Sequence, residues 1–310
     1  MKWIKKGLLY EPDRTKWWSQ HYGILPTPEY LPKQDIIRIY FSTTCKDRYG
    51  RVTYIEVSAK DPSKILYTHP TYILDVGEDG CFDDCGVNIS AISIFEECVY
   101  MYYAGYQRHT KTPYSILTGL AVADKQEMLF RRYSQTPILE RTSEESNLRS
   151  APTVIRDENG LWKMWYVAGI GWRNVSDGIH QGKKMPIYVL KYGTSTDGIH
   201  WQILPQPVMS HQNDEFGFGR PYVIKENDKY KMWYSIRRLS LSYRIGYAES
   251  HDGIYWQRKD EEIGIDVSET GWDSEMICYP AVLPTPHGTY LFYNGNNNGE
   301  TGFGYAILAE

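Results

Sequence analysis

The 310-residue sequence has no run of basic residues, no apolar stretch long enough to cross a bilayer, and few cysteines. With 34 Lys and Arg against 38 Asp and Glu, the net charge of −4 leaves no Lys/Arg-rich patch to follow a nucleic-acid backbone. Residues 1–7 carry no apolar segment of signal-peptide length, and nothing further along approaches a membrane span. The expectation is a soluble, cytoplasmic chain with neither nucleic acid nor a membrane as partner. Five cysteines (Cys45, Cys81, Cys85, Cys98 and Cys278) are an odd number without paired zinc spacing, and read as buried thiols rather than a disulfide framework. No linker or low-complexity segment divides the chain, which reads as one domain.

What the sequence has in abundance is aromatic side chains, 27 of them Tyr and 10 Trp, and they recur in order. The segment Lys231-Met232-Trp233-Tyr234-Ser235 has close copies at Lys163-Met164-Trp165-Tyr166-Val167, Tyr100-Met101-Tyr102-Tyr103-Ala104 and Tyr290-Leu291-Phe292-Tyr293-Asn294. A looser copy stands at Arg38-Ile39-Tyr40-Phe41-Ser42. Each reads as a buried strand, and the period is about 60 residues. Thirteen or fourteen residues upstream lies a strand opening on Pro152, Pro221 or Pro280, with Pro28 and Ser90 in the same place in the first two copies. Downstream, Asp197-Gly198 and Asp252-Gly253 lie between apolar residues and signal hairpins, each followed by a tryptophan, Trp201 or Trp256.

Four antiparallel strands per repeat at this period define an all-β chain and predict a five-bladed β-propeller. The expected blades are about 21–75, 80–140, 146–208, 214–262 and 271–310. The last repeat has room for three strands only, so residues 2–10, which begin near Trp3 as fourth strands do at Trp201 and Trp256, are expected to complete blade five and close the ring. The longest insertion, Gly169 to Met185, falls between the second and third strands of blade three, and long ordered loops are often functional.

In a propeller the first strand of each blade lines the central channel. Counting back five to seven positions from each proline-equivalent reaches His21 and Tyr22, Asp83 and Asp84, Ser146 and Asn147, Glu215, and Glu275. Converging carboxylates suit glycosyl chemistry, which uses one protonated acid at the leaving oxygen and one ionised carboxylate opposite. Arg149, Arg220, Arg237 and Tyr279 lie close by in sequence and could bind an anionic or hydroxyl-rich substrate. No cofactor is implied. A central metal stays open, since three carboxylates and a histidine could ligate one, although no compact ligand motif is present.

The five repeats, the acidic opening Phe82-Asp83-Asp84-Cys85-Gly86-Val87 and the segment Trp272-Asp273-Ser274-Glu275-Met276-Ile277-Cys278-Tyr279-Pro280 resemble the five-bladed β-propeller glycosidase superfamily, which groups glycoside hydrolase families 43, 32, 68, 117 and 130. More narrowly, the chain resembles proteins of that superfamily associated with bacterial surface-polysaccharide synthesis. The resemblance implies a carbohydrate-active enzyme, most simply a glycoside hydrolase, with an acidic triad drawn from the first three blades. That triad is not intact: Arg149-Ser150-Ala151-Pro152 stands where a Glu would precede proline, Glu144 and Glu145 are displaced, and blade one offers His21-Tyr22 with Asp47 only from a turn. The expected replacements are Glu275 as acid, Asp84 as base or stabiliser and Glu215 in support, with His21, Tyr22, Asp47, Asp83, Arg149, Arg220, Arg237 and Tyr279 binding substrate. The alternatives are a sugar-transferring enzyme of polysaccharide assembly taking a nucleotide sugar or another carbohydrate ligand, and a propeller that binds carbohydrate without turnover.

Overall fold

The alternation of β-branched and aromatic residues does produce strands: in a computed structural model, which describes residues 1–125 and 128–309, strand takes 54% of the chain and helix 3%, so the protein is all-β. The first strand, β1 (Trp3–Tyr10), is followed by a sheet of β2 (His21–Leu31), β3 (Ile36–Thr44), β4 (Gly50–Ser58) and β5 (Ile65–Thr68). Next come β6 (Val87–Phe95), β7 (Cys98–Arg108), β8 (Tyr114–Asp124) and the short β9 (Arg131–Arg132). The third series is β10 (Leu148–Arg156), β11 (Trp162–Asn174), β12 (Lys184–Ser195) and β13 (Gln202–Ile203). The fourth is β14 (Glu215–Glu226), β15 (Lys229–Arg238), β16 (Arg244–Ser250) and β17 (Gln257–Arg258), and the chain finishes with β18 (Cys278–Thr285), β19 (Gly288–Asn294) and β20 (Phe303–Leu308).

Within every series, neighbours in sequence pair antiparallel, and β1 pairs antiparallel with β20, from Trp3 opposite Leu308 to Tyr10 opposite Phe303. Short parallel bridges, Leu148 to Ile116 and Tyr188 to Gly217, join the second series to the third and the third to the fourth. The repeated aromatics explain why the series pack face to face. Adjacent strand residues point to opposite faces, so Tyr40 fills the core shared with the second series while Phe41 fills the core shared with the fifth. Tyr102, Trp165 and Trp233 do the same for each following pair of series. Phe41, Tyr103, Tyr166, Tyr234 and Tyr293 are all fully buried.

The inner strands carry a shared irregularity. Register slips between Ile24 and Thr27, Ile89 and Ala91, Ser150 and Thr153, Gly219 and Tyr222, and Cys278 and Ala281. In four of the five the bulge holds a left-handed residue just before proline: Leu25, Ala151, Arg220 and Tyr279, with φ of 59°, 51°, 23° and 52°. This corrects the sequence alignment, because Pro26, not Pro28, is the counterpart of Pro152, Pro221 and Pro280. Each such residue costs on the order of 1–3 kcal/mol and persists because the surrounding strands fix it.

Candidate functional site

The acids that converge in sequence separate into two populations in space. Seven residues before the bulge proline or its equivalent lie Asp83, Glu145 and Asp273, with Glu215 one residue nearer. Each is buried and clasped by a base. Asp83 accepts from the Tyr103 hydroxyl at 3.0 Å and Arg132 Nε at 2.7 Å. Glu145 Oε2 accepts from the Tyr166 hydroxyl at 2.6 Å and Arg149 Nε at 2.7 Å, with Lys191 3.2 Å from its other oxygen. Asp273 accepts from the Tyr293 hydroxyl at 2.9 Å and Lys5 at 2.7 Å. Glu215 takes both Arg258 amino groups at 2.8 Å, while the Tyr234 hydroxyl goes to Asp260, which shares Arg258. Burial pushes the Glu215 carboxyl up, but Arg258 and Arg238 outweigh it and hold the group below its ordinary range. In the first repeat Phe41 has no hydroxyl, and the acid is absent too: buried Ser19 takes its place, bonded to Thr43 at 3.0 Å. Acid and tyrosine hydroxyl come and go together, which marks the set as a structural clasp.

Asp83, Arg149 and Glu215 are thereby occupied. Asp84 sits in the turn before β6, where its carboxylate accepts from the Gly80 amide at 3.0 Å. Asp47 is an exposed turn residue whose backbone carbonyl accepts from Arg108. The His21 ring lies 4.0 Å from Glu300. None of these three lines the main cavity, and no group of three or more His, Cys, Asp or Glu among the described residues could hold a metal. The carboxylates and histidine considered for a central metal are dispersed.

Of the residues singled out in the sequence, the structure brings Glu275, Tyr22, Arg237 and Tyr279 together on one cavity of about 790 Å³. It adds Arg48, Asn88, Tyr106, Tyr114, His180, Lys183, Tyr243, Asn297 and Asn298, none of which sequence reasoning had named. Glu275 is exposed at the mouth, and its amide donates to Asn296 at 2.8 Å. On the same lining Arg237 is only 7% exposed, with the rings of Tyr188, Tyr243 and Phe216 centred 4.8, 5.0 and 5.6 Å from its guanidinium. It donates to the Pro186 carbonyl at 3.4 Å and makes no ion pair among the described residues. Burial pushes the Tyr243 hydroxyl up to about 12, so it stays a neutral donor near Arg237. The Tyr114 and Tyr188 hydroxyls meet at 2.8 Å, and the Tyr22 hydroxyl accepts from Arg48 at 2.7 Å. Tyrosines with fixed rings and free hydroxyl lone pairs suit a flat, hydroxyl-rich ligand.

The cavity narrows to a chamber of about 80 Å³ whose floor includes Ser150 and Arg220. Arg220 is 1% exposed and donates to the Pro26 carbonyl and the Thr27 hydroxyl, both at 2.7 Å, and more weakly to the carbonyls of Ser90 and Tyr279, both at 3.4 Å. Burial without a carboxylate pushes this guanidinium down to about 10. It ties four of the strand series together and lines the narrow chamber, not the open cavity. A second chamber lined by Thr27, Ser90, Thr153 and Tyr222 opens beyond it.

Solved structures with this fold are carbohydrate-related. BT0996, in an RGII complex, superposes with a TM-score of 0.75 at 19% identity, covering 99% of this chain and 92% of that one. A thermostable family-43 glycoside hydrolase gives 0.63 at 17% identity, covering 96% and 92%. The fold resembles that of these proteins. No family model matches the chain. It is 33% identical over 309 residues to Uncharacterized protein Rv1502 of Mycobacterium tuberculosis (strain ATCC 25618 / H37Rv), covering 99% of both, and it belongs to the same family. A 1,2-beta-oligomannan phosphorylase of Thermoanaerobacter sp. (strain X514) is 30% identical over 153 residues, 47% of this chain and 48% of that protein.

Proposed function

We propose that the five sheets are the blades of a closed ring and that the chain is a carbohydrate-active, glycosidase-like enzyme working in the tyrosine-lined cavity at one end of its axis. The observation that carries this reading is that Glu275 is the one carboxylate on the cavity lining among the described residues. The same lining holds a buried guanidinium, that of Arg237, with no counter-charge among those residues. In the reaction the glycosidic C–O bond breaks as Glu275 gives its proton to the leaving oxygen, and an acceptor oxygen bonds to the anomeric carbon. The Glu275 carboxylate then regains a proton from solvent. Tyr22, Tyr106, Tyr114, Tyr279, Asn88, Asn297 and Asn298 would hold the sugar hydroxyls.

A specific feature favours transfer over hydrolysis. Water as acceptor needs a second carboxylate to take its proton, and the described lining offers none. An acceptor that is already ionised needs no base. The half-chain likeness to an oligomannan phosphorylase supports the same preference. The test is a panel of oligosaccharides incubated with and without inorganic phosphate, with products separated by chromatography. Cleavage that Glu275→Gln abolishes supports the reading, and undiminished cleavage by that variant overturns it.

A further inference from the structure

The insertion between β11 and β12 is the longest interruption within a repeat, and its tip, although exposed, docks on the end of β15. Val175 donates to the Lys183 carbonyl at 3.0 Å and Gly182 to the Val175 carbonyl at 2.9 Å, closing the hairpin end. Ile179 then donates to the Leu239 carbonyl at 3.0 Å. Gly178, with φ of 72°, passes so close that a Cβ there would stand 2.2 Å from the Leu239 oxygen. Leu239 follows directly on Arg237 and Arg238 at the end of β15. The docked tip therefore carries Lys183 and His180 to the cavity wall beside Arg237. The His180 ring meets Phe216 edge-on with centroids 5.7 Å apart, and the same Phe216 ring lies 5.6 Å from the Arg237 guanidinium.

We propose that Arg237, Lys183 and His180 form an oxyanion subsite on the lining of the cavity that Glu275 shares. Arg237 is nine-tenths buried without a carboxylate, and its guanidinium is met by the rings of Tyr188, Tyr243 and Phe216 in place of a counter-ion. Lys183 makes no ion pair among the described residues, and His180 Nε2 is buried without a partner. Burial, Arg237 and Lys183 all push the His180 ring below its ordinary value, so near neutral pH it is an uncharged ring with one nitrogen to donate or accept. A planar fork, a point charge and an imidazole around one space match the oxygens of a phosphate or a carboxylate. The oxyanion comes either from a free phosphate that serves as acceptor or from a charged group on the sugar. This inference deepens the proposed function and rests on its choice of cavity.

Calorimetric titration with inorganic phosphate and, separately, with glucuronate tests it without requiring turnover. Saturable binding of either is expected, with phosphate preferred if the anion is the acceptor and glucuronate preferred if it belongs to the sugar. Arg237→Gln should weaken binding about 10- to 100-fold, the loss of one charged hydrogen-bonding partner. Since Arg237 is buried, the exposed Lys183→Ala serves as a second variant and should weaken binding about 3-fold, in line with an exposed charge pair. Binding of neither probe, or binding unchanged by Lys183→Ala and by a folded Arg237→Gln, overturns the subsite. Loss of cleavage in Glu275→Gln with anion binding intact would leave both readings standing, whereas undiminished cleavage by Glu275→Gln with intact binding would overturn the proposed function and leave the subsite standing.

Discussion

Asp273 and Glu275 are two residues apart and live in different physical worlds. Asp273 is 2% exposed, held by Lys5 and the Tyr293 hydroxyl, and has counterparts in Asp83, Glu145 and Glu215. Glu275 stands on the cavity lining with no ion pair among the described residues, and its counterparts at the same distance from the bulge proline or its equivalent are His21, Cys85, Asn147 and Phe216. A carboxylate that recurs at a fixed offset is there because every repeat has the same packing problem. One that occurs once is free to do something the other repeats do not.

That contrast can be broken first at Glu275. Glu275→Gln is expected to lower turnover about 10²- to 10⁴-fold, the usual contribution of a positioned acid. Its thermal unfolding midpoint should match that of the wild type, and a large drop in that midpoint would move Glu275 into the clasp population. The complementary change, Glu145→Ala, strands Arg149 and Lys191 in the interior and should cost about 3–5 kcal/mol in denaturant unfolding. A loss below about 1 kcal/mol would show that the clasp is dispensable.

A smaller effect is expected where the hairpin tip docks. Gly178→Ala touches no charge, yet it should weaken phosphate or glucuronate binding several-fold by displacing Lys183 and His180, while the unfolding midpoint falls only slightly. Unchanged affinity would mean the tip's position does not matter to the anion. Acid should weaken the fold through the carboxylates that their partners hold ionised. Glu249, bonded to the Tyr247 hydroxyl, Lys259 and Lys229, is held down at about 2, and Glu215 is also depressed. Groups lowered on folding stabilise above their unfolded values and lose that contribution as pH falls. Stability should therefore decline from about pH 4.5 toward 2, and a flat profile there would contradict the pairing. The least effect belongs to Arg48→Ala, which removes an exposed pair with Glu300 and should change stability by less than about 1 kcal/mol.

The strands were legible because their signal repeats: Phe41, Tyr103, Tyr166, Tyr234 and Tyr293 align, and each is a buried second-strand residue. The N-terminal strand could be paired with the last sheet because that repeat was one strand short. The site was legible only at Glu275, Tyr22, Arg237 and Tyr279. Counting back from the prolines mixed two positions, and the repeated acids dominated the reading because convergence of charge looks the same whether a base will meet it or not. Arg132, Lys191, Arg258 and Lys5, which neutralise those acids, sit on other strands at distances no local pattern reveals. Arg48, Lys183, Tyr243, Asn297 and Asn298 lie in connections that differ from repeat to repeat, and so carry no periodic signal. The one clue was the insertion from Gly169 to Met185, which marked the segment without saying which way it folds.

Arg220 sets a condition on the order in which the molecule can be completed. Its partners stand 194, 193, 130 and 59 residues away along the chain, on both sides of it. During synthesis the guanidinium emerges well before Tyr279, so for that interval a full set of hydrogen-bond partners does not exist. Contacts of such separation carry loop-closure entropy that local hairpins do not. These bonds are therefore made late, after the local hairpins have formed, and a chain truncated before β18 retains a charged side chain whose resting place is missing one wall.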